Sequence, residues 1–172
     1  AGTCMEAGKT AAACAIVSRM RHRGLAVHAF KATGVSLRRD ILAMEDSGAR
    51  RTSIFTDFGV VTTTAKNGPA LTRTMLTEMA SGRPDVIVFE LGDGILGAYG
   101  VEAILDAPDI RASLTAVVLS ANDPVAAWGG VKLLRERFKV EPCVVTGPAT
   151  DNAVGVEIIE QQMQVAAFNA MT

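Results

Sequence analysis

Residues 2–10, with the sequence GTCMEAGKT, contain the residue types that bind a phosphate group. The usual phosphate-binding loop ends in Gly-Lys-Ser/Thr and has four residues between its two glycines. Here five residues separate Gly2 from Gly8, so the loop is one residue longer. Gly8 permits a tight turn, which lets backbone N–H groups of the loop and of the next helix point at one anion. A chance Gly-Lys-Thr at a helix start is the alternative.

Two side chains at the end of this loop complete the chemistry. The ammonium group of Lys9 can reach the β- and γ-phosphate oxygens of a nucleotide, and the hydroxyl of Thr10 can ligate Mg²⁺. The residue types do not distinguish ATP from GTP. The predicted nucleotide-binding residues are Met5, Glu6, Ala7, Gly8, Lys9, Thr10 and Ala11.

Charged residues end two of the predicted strands. Glu90 lies near the end of the apolar run DVIVFEL, and Lys31 follows another strand in HAFKATG. Ligands of parallel α/β sheets bind beyond the carboxyl ends of the strands. Glu90 could therefore hold Mg²⁺ or its water shell, with a capping or ion-paired carboxylate as the alternative. Lys31 could bind an anionic substrate or a transferring group, but its position alone favours a solvated lysine.

The segment 34–66 is rich in Thr, Ser, Arg and Asp, and it is expected to form loop and short helix. Asp40 is a second candidate ligand for a metal ion. The neighbouring Arg38 and Arg39 could pair with phosphate, although solvation is favoured for both. Asp57 lies among apolar neighbours, where it could belong to a turn or contact a ligand.

Composition narrows the class of protein. The chain has 172 residues, 49% of them hydrophobic, which suits one domain with a sizeable core. Lys and Arg total 17 against 18 Asp and Glu, so no basic excess points to nucleic acid. No apolar run approaches the length of a membrane span, and no membrane partner is expected. Three cysteines without metal-ligand spacing suit free thiols, so a cytoplasmic location is expected.

Apolar runs alternate with amphipathic stretches, which is typical of βαβ units. The sequence therefore predicts a three-layer α/β fold of the P-loop NTPase type, with a mostly parallel sheet and helices on both faces. Helices are predicted at residues 9–23, 69–81, 124–138 and 152–168, and strands at residues 25–30, 85–91, 114–120 and 143–146.

The sequence contains no strand ahead of the phosphate loop. Such a strand usually lies at the centre of the sheet, and without it the sheet would expose unpaired backbone and apolar surface. We therefore expect residues 1–172 to form a single nucleotide-binding domain that lacks its first strand or belongs to a longer chain. A preceding segment or a partner would then supply the strand.

Four motifs, in their order, resemble those of dethiobiotin synthetases and of the related cobyric and cobyrinic acid synthases. They are GTCMEAGKT, FKATG, the aspartate at position 40 and VFELGDG, and they span roughly the first hundred residues. The resemblance implies that Lys9 and Thr10 bind the phosphates of ATP and Mg²⁺. It implies that Asp40 and Glu90 complete the metal site, and that Lys31 binds a substrate carbamate.

This resemblance implies an ATP- and Mg²⁺-dependent, ligase-type activation of a small carboxylate or amine, with Lys9 and Lys31 as catalytic residues. The γ-phosphoryl group would pass to an acyl or carbamate oxygen before an amine attacks. FKATG and ELGDG depart from the synthetase pattern on the substrate side, so the substrate is undefined. Relatives are often dimers, so a homodimer or a larger parent chain is expected. The alternative function is a nucleotide-sensing or regulatory P-loop ATPase domain of a larger protein.

Two loops of the second half follow predicted strands: SANDP at 120–124 and VTGPATD at 145–151. Either could hold the nucleotide base through an amide side chain or backbone groups. An ordinary connecting loop is the favoured interpretation of both.

Overall fold

A computed structural model describes residues 1–171 of the chain. Helices and strands alternate along these residues, as the sequence predicts. The strands are β1 Val27–Thr33, β2 Arg51–Ile54, β3 Val86–Leu91, β4 Val118–Ser120, β5 Val144–Thr146 and β6 Ala166–Ala167. The α-helices are α1 Lys9–His22, α2 Arg38–Asp46, α3 Gly68–Ser81, α4 Val101–Asp106, α5 Pro108–Ser113, α6 Pro124–Leu133 and α7 Ala153–Met163.

The strands form two parallel three-stranded sheets, in the orders β2-β1-β3 and β4-β5-β6. Parallel neighbours need crossover connections, which helices usually supply. Here α2 and α3 connect the strands of the first sheet, and α6 and α7 connect those of the second. The predicted α/β fold with parallel sheets and helices on both faces is thereby confirmed.

A short extended segment at residues 1–3 lies between the two sheets. Gly2 pairs in parallel with Ser120 of β4, and Thr3 N–H donates to the Ser120 carbonyl at 2.9 Å. On its other side the Gly2 carbonyl accepts from Ile95 N–H at 2.9 Å, just beyond β3. One main apolar core includes side chains from both sheets, so the two sheets pack as parts of one structure.

Small apolar residues allow α1 to lie close to the first sheet. Ala13 and Val17 of α1 are buried in a second cluster with Val27 and Ala29 of β1. The helix ends as the sequence predicts, because Arg19, Arg21 and His22 occupy its last turn and Gly24 follows with φ of 82°. This positive φ favours glycine, which has no Cβ to clash.

Two boundaries of the first sheet differ from the sequence prediction. Strand β1 was expected at 25–30, but it continues to Thr33 and therefore contains Lys31. The segment 34–66, expected as loop and short helix, also contains strand β2. Its four residues, RTSI, are too few and too polar to show a strand pattern, and they are held by pairing with β1.

The second sheet corrects two further predictions. The strand expected at 114–120 begins only at Val118, and the helix expected at 152–168 ends at Met163. Gln164 has φ of 53°, a left-handed conformation that stops the helix. The chain then enters β6, in which Ala166 is exposed and Ala167 is buried, and Val165 just before the strand is also buried.

Strand β3 is less buried than its apolar sequence predicts. Glu90 and Leu91 are buried, but residues 86–89 are only half-buried. The cause is position, since β3 is an edge strand of its sheet and pairs with β1 alone. A continuous apolar run was expected to be covered on both faces.

No helix within residues 1–171 combines the length and the apolarity needed to cross a membrane.

The stacked pair Phe30–Phe89 provides a test of the core. The two rings are nearly parallel with centroids 5.1 Å apart, and Phe30 is fully buried. We expect Phe30→Ala to lower the free energy of unfolding by about 3–5 kcal/mol, because it removes a large buried ring and leaves a cavity. Urea denaturation measures this difference.

Phe168 supplies the matched control, since its side chain is 63% exposed. Phe168→Ala should change the free energy of unfolding by only about 0.5 kcal/mol. Equal effects of the two substitutions would contradict the assignment of Phe30 to the core.

Candidate phosphate and metal site

The loop of residues 2–8 leads directly into the first turn of α1. Gly8 occupies the N-cap position with φ of 86°, a conformation that favours glycine, and its carbonyl accepts from Ala12 N–H at 2.9 Å. Within the described residues no side chain caps this helix start, and its first turn holds no acidic residue. The N–H groups of this turn therefore remain available to an anion.

Lys9 lies over the loop that precedes it. Its side chain is largely buried, and its ammonium group donates to the Cys4 carbonyl at 2.6 Å. Gly2 makes room for it, since a Cβ there would lie 2.7 Å from the Lys9 Cδ atom. Burial lowers the pKa of Lys9 from its ordinary 10.5, while the nearby Glu90 carboxylate acts in the opposite direction.

Thr10 contacts Glu90 across 80 positions of the sequence. The hydroxyl of Thr10 donates to the Glu90 carboxylate oxygen Oε2 at 2.9 Å. Glu90 lies near the carboxyl end of strand β3, where the residue is 5% exposed. The sequence prediction placed both residues at one metal site, and the structure brings them into contact. Hydroxyl and carboxylate oxygens are ligands that Mg²⁺ prefers.

Lys31 is buried beside the same carboxylate. It stands directly opposite Glu90 in the β1–β3 register, with its Nζ atom 4.0 Å from Glu90 Oε1. The ammonium group also pairs closely with Asp40 Oδ2. The solvated lysine favoured from position alone is therefore wrong. Removing a cation from water requires opposite charges nearby, and the two carboxylates supply them.

Asp40 enters this cluster from the first turn of α2. Its carboxylate accepts a hydrogen bond from the Lys31 ammonium group, so in this structure it neutralises the charge of that lysine. Its role as a metal ligand stays a prediction. Arg39 lies 3.8 Å from the other oxygen of Asp40, and both Arg38 and Arg39 are largely exposed, as solvated side chains would be.

Asp57 has a local structural role. Its carboxylate accepts from Ser53 Oγ at 3.1 Å and from Ile54 N–H at 3.0 Å, at the start of the 3₁₀ turn Phe55–Phe58. Between the two interpretations that the sequence left open, these bonds favour the turn.

The two loops suggested as base-binding both lie near the phosphate loop. A Cβ on Gly8 would sit 3.4 Å from Gly147 Cα, which shows how closely residues 145–151 approach. Ala121 N–H donates to the Thr146 carbonyl at 2.9 Å, which joins this loop to 120–124. Contact with a base stays a prediction for both.

Asp93, in the turn that follows β3, is a further charged residue of the site. Its backbone has φ of 70°. Its carboxylate is close enough to Lys9 to favour the protonated ammonium group, which acts against the lowering of the Lys9 pKa by burial. The sequence shows this residue only as part of an Asp-Gly pair after β3. Its proximity to Lys9 could not be predicted, because that depends on how the loop folds.

The oxygen atoms of Thr10 and Glu90 suit Mg²⁺ better than a tightly held transition metal. No group of three His, Cys, Asp or Glu side chains in residues 1–171 could hold a metal ion. Mg²⁺ is commonly held by one or two protein oxygens together with phosphate oxygens and water. The Thr10 hydroxyl and the Glu90 carboxylate match that pattern.

Comparison with known proteins bears on the fold. No protein-family model and no curated protein sequence matches this chain. The signal recognition particle receptor FtsY from Elizabethkingia anophelis is similar in structure, with a TM-score of 0.65 and 16% identity. Chloroplast FtsY from Physcomitrella patens gives a TM-score of 0.60 and 12% identity.

The chain therefore shares the α/β fold of these two FtsY structures. Both matches cover 97% of this chain but 55% of the FtsY chain, so the chain spans about half the length of those proteins. At such identities the likeness concerns the fold alone. It lends no specific support to the resemblance to dethiobiotin synthetase.

The lowered pKa of Lys9 predicts how anion binding depends on pH. An anion binds the charged lysine, and burial makes Lys9 lose its proton below the ordinary value of 10.5. The affinity for inorganic triphosphate should therefore fall as pH rises towards 10.5, and it should fall earlier than for a solvent-exposed lysine. Calorimetric titrations from neutral to alkaline pH measure this.

Lys9→Arg is the control, because a guanidinium group keeps its charge throughout this range. Its affinity should change less with pH than that of the unmodified protein. Parallel curves for the two proteins would show that Lys9 does not carry the pH dependence.

Proposed function

We propose that this chain is a nucleotide- and Mg²⁺-binding P-loop domain whose nucleotide occupancy regulates a larger protein or assembly. The hydrogen bond between Thr10 and Glu90 is the observation that carries the proposal, because it brings together a hydroxyl and a carboxylate, two groups able to ligate Mg²⁺, at the start of α1. The structural likeness to FtsY, in one case a signal recognition particle receptor, favours a regulatory function over a ligase.

Different groups of this chain would bind different parts of the nucleotide and its metal ion. Backbone N–H groups of residues 5–11 would surround the phosphates, and Lys9 would exchange the Cys4 carbonyl for a phosphate oxygen. Thr10 and Glu90 would hold Mg²⁺, which would neutralise part of the phosphate charge. ATP is the nucleotide that the motif resemblance implies, and GTP is the alternative to be tested beside it.

A continuous set of polar contacts would connect the bound nucleotide to helix α2. Thr10 contacts Glu90, Glu90 lies 4.0 Å from Lys31, and Lys31 pairs with Asp40 on α2. If Thr10 and Glu90 held Mg²⁺, Glu90 would lose its hydrogen bond from the Thr10 hydroxyl, and its interaction with Lys31, and through Lys31 with Asp40 on α2, would change. A low local dielectric strengthens such electrostatic coupling. The start of α2 is thus the element that would report which ligand is bound.

Nucleotide binding is tested first with Lys9→Ala. We expect its affinity for Mg-ATP or Mg-GTP to fall by about 10- to 100-fold, since one charge-assisted hydrogen bond to phosphate is worth about 1.5–3 kcal/mol. Titration calorimetry with each nucleotide measures the loss and also establishes the base preference.

Lys66→Ala is the matched control, because Lys66 is exposed and distant from the loop in sequence. It should bind nucleotide as the unmodified protein does. Unchanged affinity in Lys9→Ala would overturn the proposed function.

The metal site is tested with Thr10→Val, which keeps the shape of the side chain and removes the hydroxyl. Mg²⁺ should strengthen nucleotide binding in the unmodified protein, and this gain should be lost in Thr10→Val. Thr10→Ser retains a hydroxyl and should retain the gain. Binding measured with and without Mg²⁺ gives the comparison, and an equal Mg²⁺ effect in Thr10→Val would contradict the assigned ligand.

A second candidate function is activation of a small carboxylate or amine at the expense of ATP. The buried Lys31, beside Glu90 and next to the phosphate loop, favours it, because an ammonium group there can neutralise an anionic substrate. In this mechanism Lys9 and Lys31 would stabilise charge while the γ-phosphoryl group passes to an acyl or carbamate oxygen. A homodimer or a longer parent chain remains part of both proposals.

Turnover separates the two functions. Release of phosphate from ATP that requires one particular small acid or amine would establish the ligase-type function. In that case Lys31→Met should abolish the stimulation even at saturating ATP. Nucleotide binding with no stimulation across a panel of small acids and amines would favour regulation.

A further inference from the structure

A cavity of about 340 Å³ lies just ahead of the amino ends of β4 and β5. Its walls come from α5, from the segment 114–117 that leads into β4, and from the turn 139–141 that precedes β5. The phosphate loop is at the other end of these strands, because Gly2 pairs with Ser120 and Gly8 approaches Gly147, just beyond β5. The cavity is therefore separate from the candidate phosphate and metal site.

The carboxylates on the elements around this cavity already have arginine partners. Glu141 ahead of β5 pairs with Arg135, Asp109 of α5 with Arg73, and Asp106 at the end of α4 with Arg137. Glu141 accepts from Arg135 Nε at 2.8 Å, and this contact lowers the pKa of Glu141 and keeps it ionised within the pair. These negative charges are thus balanced by arginines that do not line the cavity, except for Arg135, which lies on the far side of Glu141 and binds the Met163 carbonyl.

Two cations that line the cavity have no carboxylate partner. Arg111 is half-buried, and its Nη1 group donates to the Leu105 carbonyl at 2.8 Å, a neutral acceptor that leaves the guanidinium charge uncompensated. Lys139, which follows the turn Leu134–Phe138, is exposed. None of the ion pairs within residues 1–171 includes either side chain. Two positive charges at a concave, partly apolar surface attract an anion.

Apolar side chains form much of the remaining wall. Leu114 and Val117 are half-buried, and Val140 is buried. An inorganic ion would leave their surfaces in contact with water, whereas a short apolar group would cover them, at a gain of about 25 cal/mol for each Å² removed from water. The volume of the cavity is at the lower end of the range of small-molecule sites, which is about 300–1,000 Å³. The lining thus suits a small ligand with an anionic end and an apolar body.

We propose that this cavity is a second ligand site, which binds a small organic oxyanion: a carboxylate or phosphate group on a short apolar body. The oxyanion would bind Arg111 and Lys139, and the guanidinium group could offer it two parallel N–H donors. The apolar body would lie against Leu114, Val117 and Val140. The site does not use the phosphate loop, so it goes beyond the proposed function and stands whether or not the chain binds a nucleotide.

The test uses benzoate as the probe, in a nuclear magnetic resonance titration of the 172-residue chain. We expect saturable shifts of the backbone amides of Arg111, Val117 and Val140. Benzylamine has the same shape and the opposite charge, and it should not bind. Acetate lacks the apolar body and should bind about tenfold more weakly or worse. Phenyl phosphate, titrated in parallel, shows which of the two anionic groups the site prefers.

Substitutions identify the groups that bind the probe. Arg111→Met and Lys139→Met should each weaken benzoate binding by about 10- to 100-fold, because each removes a charge-assisted hydrogen bond. Arg111→Met also removes the bond to the Leu105 carbonyl, so Ala112→Glu provides a variant that keeps both cations and adds a carboxylate to the wall. It should weaken binding more than Ala112→Gln, which has the same size and no charge. Arg19→Met is the matched control, since Arg19 is exposed on α1 and should not contribute.

Three results would overturn the proposal. The first is the absence of saturable binding of both benzoate and phenyl phosphate. The second is equal benzoate affinity in Lys139→Met, Arg19→Met and the unmodified protein, because the cavity's cations would then not bind the anion. The third is a set of shifts confined to residues 2–10, because the anion would then bind at the phosphate loop. Binding that is lost in Lys139→Met and Ala112→Glu, with the urea midpoint of both variants unchanged, is the expected positive result.

Discussion

The hydrogen bond between Thr10 and Glu90 is the contact on which the rest of the site depends. It joins the end of a glycine-rich loop to the end of β3, two segments that are 80 positions apart in the sequence. Neither group could form a phosphate and metal site alone. The fold brings them together because parallel strands end at one edge of a sheet and α1 begins at that same edge.

Around this bond the protein buries two lysines and two carboxylates. Lys9, Lys31, Asp40 and Glu90 are each less than about a tenth exposed. Such burial is costly unless opposite charges are close, and truncating one partner leaves the other uncompensated. The cluster therefore holds β1, β3 and α2 in one arrangement. A phosphate or metal ion entering beside it would redistribute several charges at once.

The sequence predicted those parts that depend on residue type and local spacing. The loop, α1 with its end at Gly24, and the meeting of Thr10 with Glu90 follow from such patterns. The burial of Lys31 could not be predicted, because it depends on α2 bringing Asp40 across from another part of the chain. Strand β2 was missed for a similar reason, since its polar residues form a strand only through pairing with β1.

The direct opposition of Lys31 and Glu90 across β1 and β3 has a consequence for how the chain reaches its native fold. If the two strands paired one position out of step, Ala32 or Phe30 would face the carboxylate in place of the ammonium group. The misaligned form would bury an uncompensated negative charge, at a cost of about 3–5 kcal/mol. The opposed charges would thus favour the observed strand register over shifted ones.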